Sequence, residues 1–379
     1  MADLKTHLRE LSVAVTVGLL ARNINFTLES LFYSEYFFKA AKQVIKNDIS
    51  FAEVHEPIKF NVDLCQIIKN GYNLGKKIYN SSEFNINNDP IIIWSGCDTQ
   101  KDDPVDISIN QYLFSLKEDS FILENMGLYK LLNCFTGSTY KKRHIFKDYA
   151  LIEYKEWFLT AWDEMYKFIS QHNNIWILHD SQKSKTSVIK TVDNNIVFEY
   201  YLQKYLIHQC VLPQKCSLEI FEESTNSTIR EEVFSKFINR VLSNNTDYNN
   251  SKRKCAIVAT TNIANELTQN LNYNAGISRF LRIHEFCYYY AKTTATDIQI
   301  YKVPALSDFK NNIVIDSITS SVPNTQANIL TTIKNTKTGM KLVLRNECRF
   351  SHGQFNGTPE AKMYYESGGS LLTIYELIN

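Results

Sequence analysis

Several familiar signatures are missing from this 379-residue chain, and each absence narrows the reading. Its eight cysteines are Cys65, Cys97, Cys134, Cys210, Cys216, Cys255, Cys287 and Cys348, and none falls in a Cys-x-x-Cys pair. That argues against a structural zinc site. Scattered among apolar neighbours, they read as buried free thiols in a reducing cytoplasm. No Gly-rich phosphate loop is present, which argues against a helicase or packaging motor. Gly-x-Ser-x-Gly and His-Glu-x-x-His are also missing. The longest apolar run, Leu11 to Ala21, is too short to cross a bilayer and is bounded by Arg9, Glu10 and Arg22. It reads as the buried side of a first helix, and the expected location is soluble and cytoplasmic. There is no internal repeat and no long low-complexity tract. Nor is there a strong charge of one sign: the formal net charge is +1. Any nucleic-acid contact must therefore come from local patches.

What is present fits a globular protein with a sizeable core. Hydrophobic residues make up 44% and charged residues 21%. Aromatics reach 13%, with 22 Tyr and 22 Phe, and need a core or a contact surface. The abundance of Asn, Lys and Ile suggests an AT-rich genome and a bacterial, phage or other viral origin.

Helical spacing runs from Asp3 to Ala21, Leu28 to Lys46 and Val62 to Tyr79. Ile91 to Trp94 reads as a short, continuously apolar strand. A helix is predicted from about Ser120 to Phe135, another from Ala150 to Ser170, and further helical segments near Glu199–Gln209 and Ile229–Leu242. From about Arg282 the pattern turns to alternation, with strands at Phe286–Tyr290, Ile298–Val303, Ile313–Ile318, Ile329–Ile333, Lys341–Phe350 and Leu371–Leu377. The clusters Tyr33, Tyr36, Phe37, Phe38 and Tyr288-Tyr289-Tyr290 read as core. The expected class is α+β, with a mixed central sheet of α/β type flanked by helices and a C-terminal β-rich region. The division drawn from sequence is a helix-rich catalytic region over 1–275, with its core around 90–135, and a β-rich DNA-contacting region over 276–379.

The informative stretch is Asp103 to Lys117. With Asn110-Gln111 as a two-residue turn, Ile109 faces Tyr112 and Ile107 faces Phe114, while Asp106 faces Ser115. A side-chain period of two then puts Val105, Ile107, Ile109, Tyr112, Phe114 and Leu116 on one apolar face. Asp106, Ser108, Ser115 and Lys117 share the other face, with Leu113 its one apolar member. A carboxylate binds Mg²⁺ through hard oxygen ligands, and a lysine beside it can orient a water or neutralise a phosphate. A second acid is wanted. Glu124 is the first choice, because helical spacing lines it up with Leu128, Leu131 and Phe135 on an inward row. Glu10, beside the apolar run of the first helix, is the second. Asp98 and Glu118 are weaker.

Pro104-Val105-Asp106 followed by Ser115-Leu116-Lys117 resembles the PD-(D/E)XK nuclease superfamily, and within it the type II restriction endonucleases. The resemblance covers about a tenth of the chain. It implies a Mg²⁺-ligating role for Asp106 and a catalytic role for Lys117. Two departures stand out: Val105 separates proline from aspartate, and Ser115 occupies the place of the usual second acid. Some members with such a serine recruit a glutamate from the following helix, which points to Glu124 as metal ligand and leaves Ser115 supporting it.

Further contacts are expected from the strand Lys341 to Phe350 and the polar loop after it. Arg345, Arg349, His352, Gln354 and Asn356 are candidates to hold phosphates or read base edges. Lys141, Lys142 and Arg143, beside His144, and the run Lys252-Arg253-Lys254 are candidate phosphate contacts. The expectation is therefore a Mg²⁺-dependent DNA endonuclease of restriction type, for which a homodimer would supply two active centres on a symmetric site. The alternative is a non-catalytic DNA-binding or viral assembly protein in which the hairpin is only structural.

Overall fold

The computed structural model describes residues 4–54, 56–96, 104–118, 122–128, 130, 132–133, 145–269, 281–293, 297–309, 312–350, 353–357, 359–366 and 369–378. The chain begins with three helices, α1 (Leu4–Ala21), α2 (Ser34–Val44) and α3 (Val62–Asn80). Helix α3 starts where its sequence provides a cap: Asn61 Oδ1 accepts from the Leu64 amide at 3.0 Å. Asp63 in its first turn and Lys77 in its last complement the helix dipole. Helix α1 is buried nearly all round, as its continuous apolar run requires. Its two mid-helix hydroxyls are satisfied locally, Ser12 by the Arg9 carbonyl at 2.9 Å and Thr16 by the Ser12 carbonyl at 2.7 Å.

Helix α3 lies against α1 through two glycines four residues apart. A Cβ on Gly71 would stand 1.8 Å from Ser12 Oγ and 2.8 Å from the Arg9 carbonyl oxygen. One on Gly75 would meet Thr16 Cβ at 2.7 Å. Only hydrogen fits at these points, so the two backbones approach closely.

Then come the strands β1 (Ile92–Trp94), β2 (Ile107–Ile109), β3 (Tyr112–Glu118) and β4 (Ile122–Gly127). After the long helix α4 (Leu151–Gln171) lies an antiparallel meander of β5 (Ile175–Asp180), β6 (Lys185–Val192), β7 (Asn195–Leu202) and β8 (Tyr205–Pro213). Helix α5 (Thr246–Gln269) closes the middle of the chain. The remaining strands are β9 (Tyr288–Thr293), β10 (Ile298–Val303), β11 (Ile313–Ser321), β12 (Ala327–Asn335), β13 (Lys341–Arg349), β14 (Glu360–Tyr365) and β15 (Glu376–Ile378).

Among the described residues these strands form three sheets. The first runs β1-β2-β3-β9-β10-β15 and is mixed, because β9 lies parallel to β3 while the other pairings are antiparallel. The second is the antiparallel order β11-β12-β13-β14-β4, and the third is the β5–β8 meander. The expected α+β class is observed: helices flank the mixed sheet, and a β-rich region follows toward the C-terminus. Both of the larger sheets draw strands from either side of residue 275.

The mixed sheet separates two hydrophobic cores. Phe114, Leu116, Tyr289 and Ala291 enter the core around α1, whereas Tyr288 and Tyr290 enter the core around α4 and α5. Every residue of β9 is buried, which is why its sequence is a continuous aromatic run instead of an alternation. No helix among the described residues is long and apolar enough to cross a membrane.

Two sequence expectations need correction. The segment Glu199–Gln209 is not helical: it spans the end of β7, the turn at Gln203 and Lys204, and the start of β8. Gln203 and Lys204 adopt positive φ (51° and 72°), the left-handed pair that closes a tight hairpin. The segment predicted as a helix over Ser120–Phe135 begins as strand β4, paired antiparallel with β14. Here the partner strand overrides a spacing that suited a helix. Of the candidate phosphate contacts Lys252-Arg253-Lys254, which lie within helix α5, Lys254 is already paired with Glu156 at 2.6 Å.

The glycine contact yields a test with an unambiguous sign. Ala normally favours a helix interior over Gly by about 0.5–1 kcal/mol. At position 71 the clash with α1 should dominate, so Gly71→Ala is expected to destabilise the fold by about 1–3 kcal/mol. Urea unfolding of the two proteins measures this directly.

Candidate active site

The hairpin forms in the register that its sequence dictates: Ile107 opposite Phe114, Ser108 opposite Leu113, Ile109 opposite Tyr112. Asn110 supplies the turn, with φ 53°, and its side chain accepts from the Ile91 amide at 2.9 Å, tying the turn to the start of β1. Ile107, Ile109, Phe114 and Leu116 are buried against α1, as the alternation requires.

Asp106 stands just before β2. Its amide donates to the Phe114 carbonyl at 2.8 Å, and its Oδ2 accepts from the Leu116 amide at 2.6 Å. The side chain thus replaces a backbone acceptor in the ladder and is fixed in place. Lys117 Nζ lies 3.7 Å from the same oxygen, and the two side chains are only 23% and 20% exposed. Asp106 Oδ1 accepts no hydrogen bond among the described residues.

A second carboxylate reaches this pair from α1. Glu10 is 3% exposed, and its Oε2 accepts from the Trp94 indole N–H at 2.8 Å. The backbone of Gly96 presses on the same group: a Cβ there would stand 2.0 Å from Glu10 Oε2 and 2.4 Å from the indole nitrogen. Burial, and then the negative charge of Asp106, push the Glu10 carboxyl up to about 7. The Trp94 hydrogen bond, Arg9 and Lys117 act in the opposite sense. Burial also lowers the Lys117 ammonium, against the pull of Asp106 and Glu10, with Arg282 and Arg9 adding repulsion. Two acids and at least three cations therefore act on one another beside the central strands of the mixed sheet.

Parallel pairing extends this face onto β9. Ser115 lies beside Tyr290 and Lys117 beside Lys292. Ser115 Oγ and Tyr290 Oη are both buried without a hydrogen-bond partner among the described residues. Lys292 is buried and donates to Tyr365 Oη at 2.7 Å.

The two carboxylates are the described groups that could hold a divalent cation. Each offers hard oxygen and keeps one oxygen outside the protein's own hydrogen bonds. Their mutual repulsion is what a cation would relieve. No group of three or more His, Cys, Asp or Glu side chains suited to a metal occurs among the described residues. Mg²⁺, however, commonly uses one or two carboxylates and takes its remaining ligands from water and substrate phosphate.

Other expected contributors lie elsewhere. Glu124 sits on β4, in the second sheet, opposite Met363. The inward helical row that singled it out does not exist there, and the acid brought to Asp106 is Glu10. Asp98, Lys141, Lys142, Arg143, His144 and His352 lie outside the described residues. Arg345 and Arg349 are already engaged on the face of β13. Arg345 pairs with Glu347 at 3.3 Å and Glu366 at 2.9 Å, and lies 4.8 Å above the Tyr364 ring. Arg349 pairs with Glu347 and donates to Tyr364 Oη at 3.2 Å. Gln354 is 7% exposed and turned inward, not displayed on a surface loop, while Asn356 is partly buried. Trp94, Gly96, Tyr290, Arg282 and Lys292 were not foreseen. The Tyr288-Tyr289-Tyr290 run was the one signal, and it marked burial without naming the strand's partner.

No family model, no curated protein and no solved structure matches the chain.

The raised Glu10 carboxyl fixes a pH dependence. Glu10 binds its proton more tightly in the folded chain than in the unfolded one, where its ordinary value is 4.5. Its contribution is therefore fully present below about 4.5 and is lost as pH rises through about 7. Glu10→Gln keeps an acceptor for Trp94 and removes the titration. Denaturant titrations should show the variant gaining stability over the parent as pH goes from 4.5 to 7; equal slopes would contradict a buried, raised acid.

Proposed function

We propose that this chain is a Mg²⁺-dependent nuclease acting on DNA phosphodiester bonds, with Asp106, Glu10 and Lys117 as its working groups. One observation carries the reading: Asp106 and Lys117, 3.7 Å apart, act on a buried glutamate whose carboxyl is pushed up by burial and then by the Asp106 charge. Paired acids beside a lysine of lowered basicity suit the hydrolysis of a phosphodiester better than a purely structural role.

In this reading Asp106 and Glu10 hold the cation, replacing the Asp106–Glu124 set expected from sequence. When bound, Mg²⁺ would supply Lewis-acid stabilisation of charge on the phosphate and make a coordinated water more acidic. Asp106 is held rigid by the Leu116 amide, so its free oxygen points one way. Glu10 is held by Trp94 and Gly96, and a cation would favour its ionised form. Lys117, already less basic through burial, can give up a proton more readily than an exposed lysine, or can pair with a phosphate oxygen. Ser115 and Tyr290 offer hydroxyls beside it. Arg9, Arg282 and Lys292 make the surroundings cationic, which suits a polyanion despite a net charge of only +1. Sequence-specific, restriction-type action and a homodimer belong to the same proposal.

The alternative, a non-catalytic DNA-binding or assembly protein, is favoured by the fact that Asp106 already has a protein cation in Lys117. Cleavage of a mixed-sequence plasmid separates the two. With Mg²⁺, discrete fragments are expected from the parent, with loss of at least a hundredfold in rate for Asp106→Ala and for Lys117→Ala, and none in EDTA. DNA binding without cleavage under Mg²⁺, Mn²⁺ or Ca²⁺ would support the alternative. A second readout needs no substrate. Mg²⁺ should raise the melting temperature of the parent, more at pH 8 than at pH 6 because Glu10 must lose its proton to bind, and should leave Asp106→Ala unmoved.

A further inference from the structure

A recess lined by none of the Asp106 hairpin residues is built between α4, α5 and the end of β13. It encloses about 390 Å³, within the size range of small-molecule sites. Trp157 and Phe350 line one side, their ring centroids 5.4 Å apart and their planes inclined at 68°. Gln354 enters from the loop after β13, Lys252 from α5, and Arg349 and Glu347 from β13 itself.

The loop is shaped to present Gln354. Gly353 has φ 90°, and a Cβ there would lie 2.1 Å from Ser235 Oγ. Phe355 also takes positive φ, 61°, a strained conformation for an aromatic residue that is offset by complete burial of its ring. That ring packs against Trp157, with centroids 4.5 Å apart. Ser235 Oγ donates to the Gln354 carbonyl at 3.2 Å. The Gln354 side-chain amide donates to Asn239 Oδ1 at 3.2 Å, so its orientation is set. Its Oε1 is then left buried with no partner, although the residue is only 7% exposed. An unpaired carbonyl acceptor in such a place costs stability unless a donor arrives.

The lining carries the cations Lys252, Arg349 and Lys362 against the carboxylates Glu347 and Glu360. Glu347 is taken up by Arg345 and Arg349. Lys252 has no carboxylate partner among the described residues, and burial lowers its ammonium. The recess thus offers an inclined aromatic pair, one fixed acceptor and an uncommitted cation in Lys252, which together suit a planar N–H donor carrying an anionic group.

We infer that this recess binds a nucleotide, its base beside Phe350 and the edge of Trp157 with an N–H given to Gln354 Oε1, and its phosphate near Lys252. The nucleotide has two possible sources: a free mononucleotide, or one residue extruded from a DNA strand. The second form rests on the DNA-directed function proposed above, and the first does not.

Equilibrium dialysis with the four deoxynucleoside monophosphates and the matching nucleosides, paired with tryptophan fluorescence, tests the free form. Binding with quenching is expected for at least one base. Lys252→Met should weaken the monophosphate at least tenfold while sparing the nucleoside; Gln354→Leu should weaken both. Lys252→Met removes an unpaired charge from a partly buried position, so its melting temperature should not fall, and a failure to bind cannot be laid to unfolding. Duplexes with 2-aminopurine at successive positions test the extruded form: a rise in base fluorescence on binding, lost in Gln354→Leu, supports it. Retention of either signal in Asp106→Ala would support the recess whatever the outcome of plasmid cleavage. No saturable binding of any monophosphate at millimolar concentration, together with no 2-aminopurine signal on duplexes that the protein demonstrably binds, would overturn the inference. Binding unaffected by both substitutions would overturn it as well.

Discussion

The candidate site depends on how deeply α1 is held. Gly71 and Gly75 let α3 come to backbone contact with Ser12 and Thr16, and that contact fixes the height of the helix against the mixed sheet. Glu10, one turn away, is carried to the position where the Trp94 indole and the Gly96 backbone already wait. A helix seated even a methyl group further out would leave Glu10 partly hydrated, with an ordinary acidity and no strong coupling to Asp106. The chemistry proposed for the hairpin therefore rests on an apolar contact that contains no chemistry of its own.

The mixed sheet does the complementary work. With one core on each side, its central strands are shielded on both faces, and a polar group there must be paired or must have a purpose. Lys117 and Lys292 lie side by side where β3 meets β9, each approached from a different direction: Asp106 beside the first, Tyr365 beside the second. Lowered dielectric makes the interactions of these groups stronger than they would be on an exposed hairpin. This is why a two-residue motif that is weak as a sequence pattern gains weight once its surroundings are seen.

The legible parts of the chain were those governed by local rules. The hairpin register followed from alternation and a two-residue turn, and it held from Ile107 to Phe114. The apolar run of α1 and the aromatic run of β9 announced burial without ambiguity. What failed were segments whose form is decided by a distant partner. The 122–127 segment has apolar residues spaced well enough for a helix, yet β14, more than 200 residues later, pairs with it as a strand. Glu124 was chosen on that helical row and lost its warrant with it. Glu10 was legible as an acid beside a buried run, but nothing local could say that Trp94 and Gly96 would close around it. Similarly, the polar sequence around Gln354 suggested display on a surface. The burial of Phe355 and the left-handed turn at Gly353 instead draw it inward.

The parallel pairing of β3 with β9 also has a consequence in time. A chain emerging from the ribosome can form its first three helices and the Asp106 hairpin early, but the strand that flanks Lys117 is synthesised only after α4, the β5–β8 meander and α5. Such long-range pairing closes late and slowly. Until residue 293 has been made and docked, Lys117 lacks the wall that shields it, and the hairpin remains open to water. Nascent chains would thus carry the acids and the lysine without their interior setting, and the order of synthesis itself would delay any hydrolytic competence until the protein is nearly whole.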